Sequence, residues 1–434
     1  MTKKITKAST KKTVAITTLG AALEWFEFSL YGYLATYLSI LFFPDENRTV
    51  GLITVFGIFA ASYFMRPLGG FILGSIGDRL GRRYAITLSI GLMCIPMFIM
   101  TIMPTYNSFG IWAVVILILA RMIQGFSVGG EYTGVLIMLA ESAPKQYRGF
   151  ATALAAMSSQ VGTILSAVVV GVLATVFSKA QMLEYGWRVA FFIGFIFALT
   201  SMFLQHSVRE SPFFEEIKKS KKALKNPLMT ALKGPKMPLV WVFVLTGYIG
   251  IAYYMMATFL PNNFIATRHL DVSIVMWITV VISVVYAVFS PLFGWFADLW
   301  GRKVMLNVPI FLLLILAYPM FIWLNYGGIV QILIAESIFA LLVAAMTASF
   351  QVAISELFPT ECRYSGMSAA YNVGNALFAG TTPMISLMLV DVSGSHYAPC
   401  YYLIITSIIT LAVIYKMPET RTSRYFELGE NSSK

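Results

Sequence analysis

The sequence predicts an all-α, polytopic membrane protein of twelve transmembrane helices, arranged as two pseudo-symmetric six-helix bundles. Three observations carry that fold class: an apolar composition, twelve apolar segments of membrane-crossing length, and an internal repeat that divides them six and six. Of the 434 residues, 58% are apolar and only 12% charged, where a soluble domain usually carries about 25% charged residues. A mean hydropathy of +0.77 fits a chain whose outer surface meets lipid.

In order, the segments begin with 14–43, which holds Glu24 and Glu27 in "ALEWFEFSLYGY". Next come 52–76, with Arg66 before Pro67; 84–104, with Cys94; and 111–140, with Arg121, Gln124 and Glu131. Segments 150–177, 187–207, 239–265, 273–296 and 304–325 rest on their length and apolar content. The last three are 328–355, with Glu336; 365–390, with Tyr371, Asn372 and Asn375; and 399–417. Each exceeds the ~17 residues that span hydrocarbon, and the longer ones need tilt or protrusion.

The net charge of +11 does not point to nucleic acid, because the basic residues lie in short runs between apolar segments. Of the 31 Lys and Arg, 25 fall in the N-terminus, the turns after even-numbered segments, the central insert and the C-terminus. Arg48, Lys179, Arg188 and Arg268 are the four on the other side. Positive loops face the cytoplasm. The expected boundaries are a cytoplasmic tail over 1–13, bundles over 14–208 and 239–417, a cytoplasmic linker over 209–238 and a cytoplasmic tail over 418–434. Residues 1–12 read as a tail rather than a cleaved signal, since no small-residue cleavage site follows. Three scattered cysteines and three histidines near segment ends give no disulfide framework and no metal spacing. No metal and no cofactor are expected.

The repeat is visible without an alignment. "GSIGDRLGRR" (74–83) returns as "GWFADLWGRK" (294–303), an offset of 220. Glu141, Pro144 and Arg148 return as Glu356, Pro359 and Arg363, an offset of 215, and "RESP" (209–212) is echoed by "PETR" (418–421). Copies in the same orientation suit a transporter built from two parallel halves.

Gly74, Asp78, Arg79, Gly81 and Arg82 resemble the loop signature of the major facilitator superfamily. "EWFEFSLYG", "FMRPLGG", "RMIQGFSVGGEYTG" and "AAYNVGNALFAGTTP" look more narrowly like the metabolite:proton symporter family. Within it, "FPTECRYSGMSAAYN" and "APCYYL" look most like the proline/glycine-betaine transporters. The resemblance implies a proton as coupling ion and a central cavity lined by the first and fourth helices of each half. Osmosensing members carry a C-terminal coiled coil; "SRYFELGENSSK" has no heptads, so activation through such a coil is not expected.

Six ionised groups fall inside spans: Glu24, Glu27, Arg66, Arg121, Glu131 and Glu336. Each would cost roughly 2.5 to 3.5 kcal/mol in lipid at a helix centre, so they must face the bundle interior. Arg121 offers a planar, always-charged fork and is the candidate for a substrate carboxylate, with Gln124 and Tyr31 beside it. A buried carboxylate that gains or loses an arginine partner switches its proton affinity, and Glu24, Glu27 and Glu131 are equal candidates for proton coupling. The repeat maps Arg121 onto Glu336; either the two face each other, or Glu336 receives a substrate's cationic group. Tyr371, Asn372 and Asn375 supply uncharged hydrogen bonds, and Trp25, Phe28 and Tyr31 could box a quaternary ammonium. For Arg66, before Pro67 on the gating side of its segment, a structural reading stands at least level with a functional one.

The loop motifs read as gate hardware: Asp78, Arg79, Gly81, Arg82 and Arg83 with Glu141 and Arg148 in one half, and Asp298, Gly301, Arg302 and Lys303 with Glu356 and Arg363 in the other. The "GDRLGRR" run is no phosphate loop, since it lacks the Walker spacing, and no enzyme is expected. The expected function is a proton-coupled symporter importing a small carboxylate-bearing solute, with a proline- or betaine-type zwitterion favoured. Alternatives are a di- or tricarboxylate or shikimate-type acid, and a proton antiporter, against which stands the lack of Pro in 150–176. The expected setting is a monomer in the bacterial inner membrane, with lipid, solute and protons as its partners and no nucleic acid.

Overall fold

A computed structural model of the chain describes residues 22–23, 25–44, 47–80, 82–129, 131–206, 229, 233–234, 236–358 and 363–421. Glu24 and Gly81 lie outside the described residues, as do the side chains of Asp78, Arg79, Arg82, Arg83, Glu131 and Glu141. Twelve membrane helices follow in order. The first, α1, runs over 25–33 and on through Ala35–Phe42. Then come α2 (Arg48–Phe64 and Arg66–Leu80), α3 (Arg82–Ile102), α4 (Ile111–Val128 and Glu131–Ser142), α5 (Arg148–Val176) and α6 (Trp187–His206). The second half holds α7 (Lys236–Tyr254, continuing to Ala266), α8 (Val272–Trp300), α9 (Arg302–Tyr326), α10 (Ile329–Glu356), α11 (Arg363–Gly374, continuing to Ser393) and α12 (Ala398–Ile414). Among the described residues nine helices are long and apolar enough to cross a membrane, and Thr87–Ile102 and Ala398–Ile414 are shorter apolar helices.

Apolar residues cover the outside of this bundle. Phe203 and Val288 are 68% and 64% exposed, a surface that water would penalise and lipid does not. The interior takes the large rings and the polar side chains alike. Trp187 is fully buried and packs on Phe42 with ring centroids 5.9 Å apart, pinning α6 to α1. Small residues set the closest crossings. A Cβ on Gly125 would strike the Ser62 carbonyl oxygen, and one on Gly149 would strike that of Gly294. Those two glycines let α4 lie against α2 and α5 against α8.

Among the described residues, three of the helix irregularities come shortly before a proline. In α2 the ladder lapses at Met65, ahead of Pro67; in α7 a π-turn spans Met255–Phe259, ahead of Pro261; in α11 another spans Asn375–Ala379, ahead of Pro383. Proline has no N–H to return to the carbonyl four residues earlier, so the backbone widens there to rehouse its hydrogen bonds. These breaks lie at mid-helix, beside the residues described next.

The halves touch at both ends. At the end carrying the α8–α9 turn, here the basic end, α5 meets α8 at Gly149 and Gly294. At the opposite end Thr175 and Ser273 hydroxyls are 2.8 Å apart, and Thr36 of α1 donates to Asn262 of α7 at 3.1 Å.

Candidate functional site

Arg121 sits on the inner face of α4, 1% exposed. Its guanidinium carbon lies 4.1 Å from the Tyr31 ring centroid, 5.0 Å from Phe28 and 5.4 Å from Phe59. One terminal nitrogen donates to the Gln124 side-chain oxygen, one turn on, and the other to Ser62 Oγ at 3.3 Å. The Nε has no hydrogen-bond partner among the described residues. No described carboxylate lies within ion-pair distance of this guanidinium. Glu27, 1% exposed on α1, is within electrostatic range of it. Aromatic faces attract a cation, but their contribution is small beside the cost of burying one.

No described hydrogen bond or ion pair joins Arg121 to Glu336. Arg121 is held by rings of α1 and α2, whereas Glu336 on α10 is 2% exposed and its Oε1 has no described hydrogen-bond partner. Tyr33 of α1, in the other half, is within electrostatic range of it, and its hydroxyl has no described partner either. Equivalent positions in a repeat need not touch, because the side chains leave them in different rotamers among different neighbours.

Tyr31 presents its ring to Arg121 while its hydroxyl donates to the Val55 carbonyl at 3.1 Å. Tyr371 stacks on Tyr132 with centroids 5.9 Å apart. The two asparagines of α11 are engaged elsewhere. Asn372 Nδ2 donates to the Gly129 carbonyl at 2.9 Å, bridging the halves, and Asn375 Nδ2 donates to Tyr371 O at 3.1 Å within its own helix.

Sequence reasoning foresaw two further groups only in part. Arg66 is 4% exposed, with its guanidinium carbon 4.6 Å from the Tyr63 ring and 5.1 Å from Phe28. Two buried guanidinium groups thus share the Phe28 ring. The second group is aromatic: Trp25 meets Tyr132 and Tyr253 edge-on, each at 5.9 Å, and Tyr63 and Tyr254 join hydroxyls across the halves. The doublet Tyr253-Tyr254 in an otherwise greasy helix was the available signal.

At the basic end the second copy of the loop motif forms one cluster. Arg302 makes a two-pronged pair with Glu356, both contacts 3.1 Å, and reaches Asp298 at 3.1 Å. Asp298 in turn accepts from the backbone N–H groups of Gly149 and Phe150 at 2.9 and 3.0 Å, capping α5 of the other half. Gly301, at φ 102°, makes the left-handed turn between α8 and α9 that other residues resist. Arg148 lies within electrostatic range of Glu356, Lys303 Nζ donates to Tyr415 O at 2.7 Å, and Arg363 Nε donates to Phe358 O at 3.2 Å. Glu419, from the echoed "PETR", was not foreseen. Its carboxylate accepts from the N–H groups of Arg302 and Lys303 at 2.9 and 3.0 Å and caps α9, where an anion meets the positive helix end.

Known proteins agree with this architecture. Residues 13–236 match the family described as Sugar (and other) transporter, and residues 242–432 match the Major Facilitator Superfamily. The proline/betaine transporter of Escherichia coli (strain K12) is 32% identical over 424 residues, covering 94% of this chain and 84% of that protein. The glycine betaine/proline/ectoine/pipecolic acid transporter OusA of Dickeya dadantii (strain 3937) is 32% identical over 421 residues, covering 94% and 83%. Among solved structures, the partially occluded inward-open xylose transporter XylE from E. coli superposes with a TM-score of 0.77 at 19% identity, covering 96% of this chain and 100% of that one. At that identity the likeness speaks for the fold. The chain belongs to the major facilitator superfamily, in the family of the proline/betaine transporters, and is a multi-pass membrane transporter of a small solute rather than an enzyme.

Proposed function

We propose that this chain is a proton-coupled symporter that imports a small carboxylate-bearing zwitterion of the proline or glycine betaine kind, by alternating access in a bacterial inner membrane, with both termini in the cytoplasm. The observation that carries the reading is Arg121: a buried guanidinium with an unpartnered Nε and no described carboxylate in ion-pair reach. A substrate carboxylate completes it, since a charge-assisted fork is among the strong hydrogen bonds. Glu336, buried with an Oε1 that has no described partner and within electrostatic range of Tyr33, takes the cationic end. The relatives named for proline and betaine point the same way.

Glu27 is the described acid in range of Arg121, and it carries the proton in this reading. While Glu27 is protonated, Arg121 is free for the substrate. When the substrate leaves, Arg121 favours the ionised form of Glu27, which gives up its proton to the same side. Solute and proton then travel together.

The test is uptake of labelled proline, glycine betaine, α-ketoglutarate, citrate and shikimate into proteoliposomes, with an inward proton gradient imposed or collapsed. Gradient-driven accumulation of a zwitterion is expected; uptake indifferent to a protonophore removes the symport. Glu27→Gln is expected to keep solute exchange across the membrane while losing gradient-driven accumulation and its pH dependence. Accumulation unchanged in that variant assigns the proton elsewhere. Glu336→Gln is expected to weaken zwitterion uptake by about tenfold or more, as a lost hydrogen-bonded charge pair does, and to spare anions. A second reading, a dicarboxylate substrate, is favoured by Arg66 sharing the Phe28 ring with Arg121; α-ketoglutarate uptake exceeding that of both zwitterions would establish it.

A further inference from the structure

We infer that Trp25, Tyr132, Tyr253, Tyr286 and Tyr371 form a cage for a methylated ammonium group, so that the site selects its zwitterion by the number of N-methyl groups. This rests on the proposed zwitterion reading and names the class within it. The rings come from both halves: Trp25 from α1, Tyr132 from α4, Tyr253 from α7, Tyr286 from α8 and Tyr371 from α11. Trp25 is the hub, with Tyr132 and Tyr253 each at 5.9 Å and at interplanar angles of 66° and 85°. Tyr371 lies against Tyr132 at 5.9 Å, and Tyr286 stands 6.1 Å from Tyr253.

Two features mark this group. Trp25 and Tyr253 keep partial exposure although they touch each other across the halves. No described Lys or Arg lies over Trp25, Tyr132 or Tyr253, whereas Arg121 and Arg66 are already stacked on Phe28, Tyr31 and Tyr63. The rings nearest the halves' junction are left for a cation that the protein does not supply.

The chemistry of that cation follows from the lining. A quaternary ammonium has no N–H to donate, so it gains from ring faces and loses nothing where acceptors are few. The phenols of Tyr132 and Tyr253 are tied to Gln351 at 2.6 Å and Thr163 at 3.4 Å, which leaves their rings as the free feature. Glu336 lies in range of Tyr33, which is in turn in range of Tyr253, and adds negative potential on that side. The anion end lies on the same helix: Phe28, whose ring centroid is 5.0 Å from the Arg121 guanidinium carbon, is three residues from Trp25, about one turn along α1.

The test is equilibrium binding to the purified full chain, by calorimetry, of glycine, sarcosine, dimethylglycine, glycine betaine and proline. Affinity is expected to rise at each methylation. Trp25→Leu should weaken glycine betaine about tenfold and flatten the series, and a size-exclusion profile and thermal unfolding midpoint matching the parent report that the variant is folded. Tyr132→Leu should weaken betaine about threefold or more, with Tyr132→Phe restoring it, since the ring and not the hydroxyl is used. Binding of the whole series without a methylation order, or an order that survives Trp25→Leu, overturns the cage alone. Binding of no zwitterion overturns the cage together with the proposed substrate.

Discussion

Arg121→Lys is expected to abolish measurable uptake of the carboxylate-bearing solute, with binding weakened by at least about thirtyfold. The direction follows from geometry. The guanidinium is held in place by Tyr31, Phe28, Ser62 and Gln124 at once, so its fork is fixed before a ligand arrives. Lysine keeps the charge but is a hydrated point donor on a flexible stem, and cannot stack or present two parallel N–H groups. Losing one partner of a buried, hydrogen-bonded charge pair costs about 2 to 5 kcal/mol, and each 1.4 kcal/mol is tenfold in affinity. Calorimetric titration with glycine betaine measures the loss directly. Arg121→Lys binding betaine within threefold of the parent would remove Arg121 from the site. Arg66→Lys separates a shared role from a local one: Arg66 also stacks on Phe28, and an equal loss there would mean that both guanidinium groups hold the carboxylate.

Much of this molecule could be read before any coordinates. The segments are legible because lipid makes one demand on twenty successive residues, and the demand is met by composition alone. The break in α2 was also close to hand, with Pro67 following Arg66. The site was legible only in part. Glu27, Arg121, Gln124 and Glu336 stand out because charge inside a span is costly wherever it points. Tyr132, Tyr253 and Tyr286 do not stand out, since an aromatic residue is equally acceptable to lipid and to a cavity. Only the packing of α1, α4, α7 and α8 tells which rings turn inward. Asn372 shows a different limit. An uncharged amide in a cavity helix reads as a ligand contact, yet its partner is the Gly129 carbonyl of the other half, a bond that no single-helix pattern contains. The same limit hid Glu419, whose carboxylate reaches α9 across more than a hundred residues of sequence.

The second large effect is expected at the basic end. Asp298→Ala should shift the transporter toward the state open at that end, with substrate binding retained and turnover lost. Asp298 is buried and serves two clients, the α5 N-terminus through Gly149 and Phe150, and Arg302. Alanine leaves two backbone donors and part of a guanidinium without their acceptor, but only while the halves are shut, because opening lets water reach them. The penalty of about 3 to 5 kcal/mol for breaking a buried charged contact therefore falls on the closed state alone, a shift of more than a hundredfold in the equilibrium. Gly149→Val acts on the same state by a different route, since its side chain would meet the Gly294 carbonyl and keep α5 from seating on α8. The readout is alkylation of a single cysteine at Ser290, fully buried on α8, in a background lacking Cys94, Cys362 and Cys400, by an impermeant reagent applied from the basic side. Both variants should raise the alkylation rate at least tenfold, and saturating substrate should lower it in the parent more than in either variant. A rate unchanged in Asp298→Ala would mean that Arg302 and Glu356 hold this end closed by themselves, and that the cap on α5 is an ornament of the closed state rather than its latch.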